Sequence, residues 1–576
     1  MRPISSLFPY LLFAGLVIAA PAMAQQDGEP ASLLPDIDPQ DIEIRGDFQV
    51  RFPGLSRQPI LGFSPRTPVY RVDPDRMPYM ESDEEIVAAI PISDLEPALK
   101  PEQQFIAFAD QRQVFARTGL GTYMSPELKF IAETPIRDNE SLALDIGHHS
   151  SEGDREYSSF RNLGVDLQWT RRSGNHRWGL GVTGRSSFNY SPFPMDTLSN
   201  GSIDPEQLVP QLISHSAFGI EGRWQHLEHA YRGWQTAVSV NRFGNEGERY
   251  IDETITSNET RFGIQANRFW EGGQMEQVFG LRARSSGAIY DTMDDHSQYW
   301  LTNTIGGRYR QLFGHSHQVE AWLRIYQLYD IENEFDLFLY PDIQYRYQGT
   351  GRVSAGIRVR GFVNDPSLER MNRKNRFLML QDNDLEHERG LHIGLHSDIE
   401  LGSDLKAFTG LDYWQYYNLG YFGFSEDPLS PYYAFHYTQE AIHVEWYHGA
   451  TYFYPALRTS ATLEAGLNFS TAAEEDISTG EIPYLPRWKV SAQFMTKPLQ
   501  QLDISTWLDY RSQRKTATGE DAMDGYVQLG MQTDFRVHQN FGVYVKALNI
   551  LNQDYEVWQN YQERPFQIYG GVTLHW

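Results

Sequence analysis

The sequence predicts an all-β fold: a transmembrane antiparallel β-barrel of about 22 strands, preceded by a short Pro-rich N-terminal segment that is periplasmic or luminal. Three observations predict it. Apolar and polar residues alternate with a period of two from Val114 to Trp576. Short turns and longer loops take turns along that stretch, as they do on the two sides of an outer-membrane barrel. An export signal opens the chain, and after it no uninterrupted apolar run approaches the roughly 18 residues that a transmembrane helix needs.

Residues 1–24 read as a secretory signal peptide. Arg2 supplies the positive start, Leu7 to Ala20 the short apolar core, and Ala22-Met23-Ala24 a small-x-small cleavage site before Gln25. No Cys follows that site, so no lipoprotein anchor is expected. The chain has no Cys at all, which excludes disulfides, thiol catalysis and thiolate-bound metal. A formal charge of −26 argues against a nucleic-acid partner.

Residues 25–111 form a Pro-rich N-terminal extension. Prolines from Pro35 to Pro101 punctuate it and forbid long helices and central strands. Two extended pieces, Ile42–Val50 and Val69–Val72, survive between them, and Glu81 to Ile90 suits one or two helical turns. Phe48, Phe52, Leu55, Ile60, Leu61 and Phe63 are too apolar for a solvated linker. The segment is expected to lie inside the barrel or beneath it.

Residues 112–576 read as one meander. Leu163, Val165, Leu167 and Trp169 oppose Asp166 and Gln168, and after Arg172-Ser173-Gly174-Asn175 the residues Trp178, Leu180 and Val182 oppose Thr183 and Arg185, which is a hairpin. The scheme repeats through Val319–Tyr326, Arg352–Arg360, Leu405–Asp412, Trp488–Phe494, Leu502–Asp509 and Phe541–Ala547. Short turns are expected at 271–273, 314–316, 348–350, 402–404, 498–500 and 538–540. Longer loops are expected near 192–211, 245–257, 364–388, 422–436, 472–484 and 551–565. An even strand number with both ends on the short-turn side is what a closed barrel requires.

The last strand carries the sharpest pattern. Phe566, Ile568, Gly570, Val572, Leu574 and Trp576 share one face, and Gln567, Tyr569, Gly571, Thr573 and His575 the other. Gly571, Leu574 and Trp576 match the aromatic-ended signal read by the outer-membrane assembly machinery, an expected partner together with outer-membrane lipid.

Ala547-Leu548-Asn549-Ile550-Leu551-Asn552-Gln553-Asp554-Tyr555 resembles the stretch that precedes the last strand of TonB-dependent receptors. Glu563-Arg564-Pro565-Phe566 resembles their arginine-containing lead into that strand, and Trp576 stands at their terminal aromatic. The resemblance implies a 22-stranded barrel around a plug domain, and energised uptake of siderophores, cobalamin or glycans through contact with TonB. Residues 25–111 are too short and too Pro-broken for the family's usual plug, so the chain is expected to lack it.

No constellation points to catalysis. His392 and His396 stand four apart on a strand, so roughly 13 Å separates their tips and they cannot share an ion within it. No Ser or Asp accompanies a His at a recognisable spacing, and neither an enzyme nor a cofactor nor a metal centre is expected. The acidic loops around Asp291–Asp295 and Asp382–Glu386 read as solvated rim. Arg324, Arg352, Arg358 and Arg360 are candidates to face the lumen, either paired with inward Asp and Glu or steering an anionic solute. Tyr421, Phe422, Phe424, Tyr432 and Tyr433 are candidate loop aromatics that pack, stack on a sugar or dock a partner. Two functions stay open: a solute-uptake or channel barrel, and a plugless scaffold or membrane anchor of an envelope complex. TonB, or another periplasmic or plug-like protein, is the expected partner below the membrane.

Overall fold

The computed structural model describes residues 113–576, except 155–157, 192–210, 230, 251–252, 273–276, 292–296, 315, 330–334, 350–351, 380–384, 425–432, 474–476 and 518–521. The signal peptide and residues 25–111 lie outside the described residues. From Gln113–Gly121 to Gln567–His575, 22 strands follow one another round a closed barrel, each antiparallel to the next. A further strand, Tyr433–Thr438, pairs with the outer end of Leu405–Phe424 and bridges to Leu378. The first and last strands meet from Phe115↔His575 to Gly121↔Tyr569. Val114 and Trp576 exchange both backbone hydrogen bonds there, at 3.0 and 2.8 Å. In lipid no water can satisfy a bare sheet edge, so this seam is what allows the strands to span at all.

Outward positions confirm the environment. Leu323, Ile325, Leu337, Leu339 and Ile343 stand between 46% and 62% exposed on neighbouring strands, a contiguous apolar surface that water would not tolerate. Inward positions on the same strands are polar, with Asp342 buried to 3% exposure. The protein is therefore an outer-membrane barrel, and its short-turn end, where Gln113 and His575 lie, is the periplasmic end.

The barrel is not equally tall all round. Gln211–His229, Arg232–Tyr250 and Glu253–Glu271 each run 19 residues, where roughly 9–11 suffice to cross. Their exposed apolar residues, Phe218, Ile220, Trp234, Val238, Val240, Phe262, Ile264 and Trp270, lie toward the periplasmic side, so the outer ends rise above the membrane. The expected loop near 245–257 is accordingly paired strand, with Asn245 opposite Ser257 and Gly247 opposite Ile255. The expected loop 422–436 also starts as strand, to Phe424, and 551–565 contains a small hairpin of Glu556–Trp558 with Tyr561–Gln562.

At the seam, sequence and packing are locked together. Gly571 sits opposite both Gly119 and Tyr544, and the Tyr544 ring lies over the two glycines. A Cβ at Gly119 would come within 2.2 Å of the Tyr544 hydroxyl, and one at Gly571 within 2.1 Å of the Thr118 carbonyl. Arg117 then reaches across to Asp534 at 2.9 Å and stacks on Tyr544 at 4.7 Å.

Two substitutions test the seam. Gly571→Val drives a side chain into the Thr118 backbone, and Trp576→Asp removes the aromatic that ends the last strand and puts a charge on its lipid side, which near the interface costs up to about 1 kcal/mol. Both are expected to reduce sharply the heat-modifiable, membrane-inserted fraction on a gel. Normal surface levels of either protein would contradict the seam's role.

Candidate functional site at the extracellular mouth

The long loop after the strand Val353–Asn364 does not stay outside. Within segment 365–387, Pro366 and Ser367 open a short helix, Leu368–Lys374, capped by Ser367 Oγ accepting from the Arg370 amide at 3.4 Å. Glu369 in its first turn and Arg373 and Lys374 in its last suit the helix dipole. The helix docks on the tall wall. Glu259, buried, accepts from Ser367 Oγ at 3.1 Å and from the Leu368 and Glu369 amides at 3.2 and 3.4 Å. Arg261 pairs with Glu369 at 3.0 Å and donates to Ser367. Asp365 takes Arg284 and Ser286 at 2.9 and 2.8 Å. Asn245 donates to the Leu378 carbonyl at 2.9 Å and to Asn372 at 3.4 Å.

The same segment is held from the other side of the mouth. The Tyr433 amide donates to the Phe377 carbonyl and the Met379 amide to the Tyr433 carbonyl, both at 3.0 Å. Phe377 stacks on Tyr561 with ring centroids 3.5 Å apart, and Arg376 lies 3.7 Å from Glu563. Its apolar residues divide between two clusters. Leu368, Met371, Leu378 and Leu385 join Phe243, Tyr290, Trp300 and Phe435, while Phe377 and Met379 join Ile213, Tyr433 and Tyr561. Residues 365–379 and 385–387 thus form a strap across the mouth, tied to strands on one side and to Tyr433–Thr438 and the segment 549–566 on the other.

Beneath the strap, the wall is a ladder of paired charges. Asp342 accepts from Arg324 and Arg358 at 2.9 and 2.8 Å. Arg360 stands opposite Asp342 on the neighbouring strand and stacks on Phe362 at 5.9 Å. Glu320 pairs with Arg308 at 3.0 Å, and the guanidiniums of Arg282, Arg308 and Arg324 surround the Trp322 ring at 4.8–5.5 Å. Further round, His392, Trp414 and His443 stack at 4.9 and 4.7 Å, with His392 bonded to Asp412 at 2.7 Å and His443 to Asn468 at 3.0 Å.

Of the arginines singled out from sequence, Arg324, Arg358 and Arg360 come together. Arg352 does not: it is exposed in the short periplasmic turn before Val353, one residue short of the strand that would have aimed it inward. Among the aromatics, Tyr433 is fully buried, Phe422 packs against it and against Trp558, and Tyr421 lies 5.5 Å from His436. Phe424 pairs through its backbone with Tyr433, and Tyr432 lies outside the described residues. Packing is what the described aromatics do here. The C-terminal motif is a loop brace: Asn549 and Asn552 take positive φ, and their side chains tie Gln553, Arg564 and Phe566 into the lead of the last strand.

No family model matches the chain, and no characterised protein sequence matches it. Solved structures do. The ferric-catecholate import receptor Fiu of E. coli K12, in its closed form, superposes with a TM-score of 0.62 at 10% identity, over 81% of this chain and 82% of that one. The fold is that of a siderophore-receptor barrel. The siderophore receptor PirA of Acinetobacter baumannii gives 0.63 at 11% identity over 82% and 81% of the two chains. A variant of the ferric enterobactin receptor PfeA of Pseudomonas aeruginosa, solved with enterobactin, gives 0.63 at 11% over 82% of each.

The sequence marks the strap only as a loop and does not single out Glu259, Asn245, Asn372 or His387. Signals for it exist. Pro366-Ser367 followed by Glu369 and later Arg373-Lys374 is a helix signature, and Leu368, Met371, Leu378 and Met379 are too apolar for a solvated loop.

Two predictions arise. Asp342→Ala leaves two inward guanidiniums without their shared carboxylate and is expected to lower stability by on the order of 3 kcal/mol, read as a lower unfolding temperature in detergent. The second concerns His387, buried against Trp300 and bonded to Thr302 at 2.8 Å. Burial lowers its pKa from 6.5 to about 4, with Asp365 and Asp336 opposing the shift and Arg389 adding to it. An undocked His387 titrates near 6.5, so protonation favours undocking: docking is at full strength above pH 6.5 and weakens as pH falls toward 4. After correction for the intrinsic, base-catalysed exchange rate, the protection factors of residues 368–379 should fall between pH 7 and pH 4.5 more in the wild type than in His387→Gln. Glu259 is common to both proteins and cancels in the comparison.

Proposed function

We propose that the protein is an outer-membrane import barrel whose extracellular mouth is gated by the strap residues 365–379. The observation that supports this reading is the strap itself, tied to opposite sides of the mouth by polar contacts and small apolar clusters rather than built into the barrel's hydrogen-bond ladder. A scaffold or anchor has no need of such a closure. The barrels that share this fold include a ferric-catecholate import receptor and siderophore receptors, and a ferric siderophore is the first solute class to test. Opening would be driven from the periplasm by TonB or another periplasmic protein.

The paired arginines support a structural role in this scheme. Arg324 and Arg358 are neutralised by Asp342 and Arg308 by Glu320, which stiffens a wide wall.

Because the chain has no Cys, a lock can be engineered cleanly. Asn245 and Asn372 touch at 3.4 Å across the strap–wall contact. In the Asn245→Cys/Asn372→Cys protein, single-channel recordings are expected to show opening events when reduced and silence when oxidised. Openings absent from the reduced protein even under pulling from the periplasmic side would reject the gate, and openings unchanged by oxidation would show that the strap does not control them.

A further inference from the structure

We propose that the outer face of the barrel holds a glycerophospholipid headgroup at its periplasmic rim, in a site built by Glu228, His229, Arg232, Arg268, Trp270 and Glu271. This inference is independent of the import reading. A cavity of about 440 Å³ opens there, lined by His229, Arg232, Arg268, Trp270, Glu271 and Gly272.

Strand parity places Glu228, Arg232, Arg268 and Trp270 outside the lumen, and Glu271, the last residue of its strand and of opposite parity, joins them through His229. Arg268 and Trp270 share a face with Phe262 and Ile264, which are 41% and 54% exposed to lipid. Arg232 and Trp234 share a face with Val238 and Val240, and Glu228 with Phe218 and Ile220. A register shift between Leu227 and His229 re-aims His229 onto the cavity. Charged side chains on a lipid-facing surface are costly at mid-bilayer and nearly free at the headgroup level. These sit at the strand ends beside Trp234 and Trp270, the residue type that marks the interface.

The charges are arranged for a zwitterion. Glu228 holds Arg232 at 2.6 Å and Arg268 at 3.5 Å, while Glu271 holds His229 at 3.1 Å. Arg268 is fixed over the Trp234 ring at 4.9 Å. Two guanidiniums can share a phosphate, and the two carboxylates beside them can take an ammonium. The acyl chains would run up the apolar strip of Trp270, Ile264 and Phe262. The short-turn end faces the periplasm, so the ligand is a phospholipid of the inner leaflet with a phosphoethanolamine head.

The test is native mass spectrometry of the full-length, delipidated protein titrated with phosphatidylethanolamine or phosphatidylglycerol. The wild type is expected to bind one phosphatidylethanolamine in preference to phosphatidylglycerol. Arg232→Gln/Arg268→Gln should weaken that binding about tenfold, and Glu228→Gln/Glu271→Gln should erase the preference. Heat-modifiable migration shows that each variant is folded; should the double arginine variant fail it, Arg268→Gln alone replaces it. Equal binding by wild type and arginine variant, tighter binding of phosphatidylglycerol than phosphatidylethanolamine, or no binding by the wild type would each overturn the site.

Discussion

Everything in this molecule depends on one closed ring of backbone hydrogen bonds. In the hydrocarbon of a membrane an unpaired amide or carbonyl has no water to turn to, so the first strand must find the last. The bonds between Val114 and Trp576 and the register from Phe115↔His575 onward complete that ring. The residues at the join answer to it. Gly119 and Gly571 give up their side chains so that Tyr544 can lie across the seam, and Arg117 and Asp534 clamp it from inside. Once the ring is closed, outward positions can be apolar and inward ones charged without conflict, because the pleat keeps the two sets apart.

The ring fixes the strands laterally but leaves their height free, and the protein uses that freedom at three neighbouring strands and again at Leu405–Phe424, which runs 20 residues. Three strands of 19 residues carry the wall above the membrane. Their outer ends present Ile213, Phe243, Asn245 and Glu259 inward at a level where no lipid presses from outside. A segment arriving from the strand Val353–Asn364 can therefore dock there. The strap's bonds to Glu259, Asn245 and Tyr433 can be broken one group at a time, whereas a barrel strand cannot be released without opening the ring. The difference separates the part of the molecule that can move from the part that cannot.

The barrel was legible in the sequence because its signal is periodic and repeated. The alternation at Val319–Tyr326 or Trp488–Phe494 says which face is which, and the turn residues say where the chain reverses. The lumen pairings were half legible. Arg324, Arg358 and Arg360 fall on the inward parity of strands, but which carboxylate they meet depends on register between neighbours, and only the structure brings Asp342 between Arg324 and Arg358. Arg352 had the right parity and the wrong place, beyond the strand's end. The strap was the least legible element. Its residues are local in sequence, but their partners Asn245, Glu259, Tyr433 and Tyr561 are scattered along the chain, and no period links them. The loop aromatics show the same limit: Tyr433 reads as a loop aromatic that packs, stacks on a sugar or docks a partner, and it is buried because Phe377 and Tyr561 converge on it.

Resemblance between this barrel and the siderophore receptors lies in the ring and not in the residues. At 10–11% identity, the superposition holds over about four-fifths of each chain, because strand number, closure and the alternation of lipid-facing and lumen-facing positions constrain residue type far more than residue identity. The outward leucines and valines can exchange freely, and the inward pairs need only keep opposite signs. What cannot exchange freely is whatever meets the outside: the strap, its anchors on the tall strands, and the brace of Asn549, Asn552 and Arg564 that presents the last loop to it. Those residues are held by particular side-chain partners and not by the ring, so a substitution there is felt through the partner it loses.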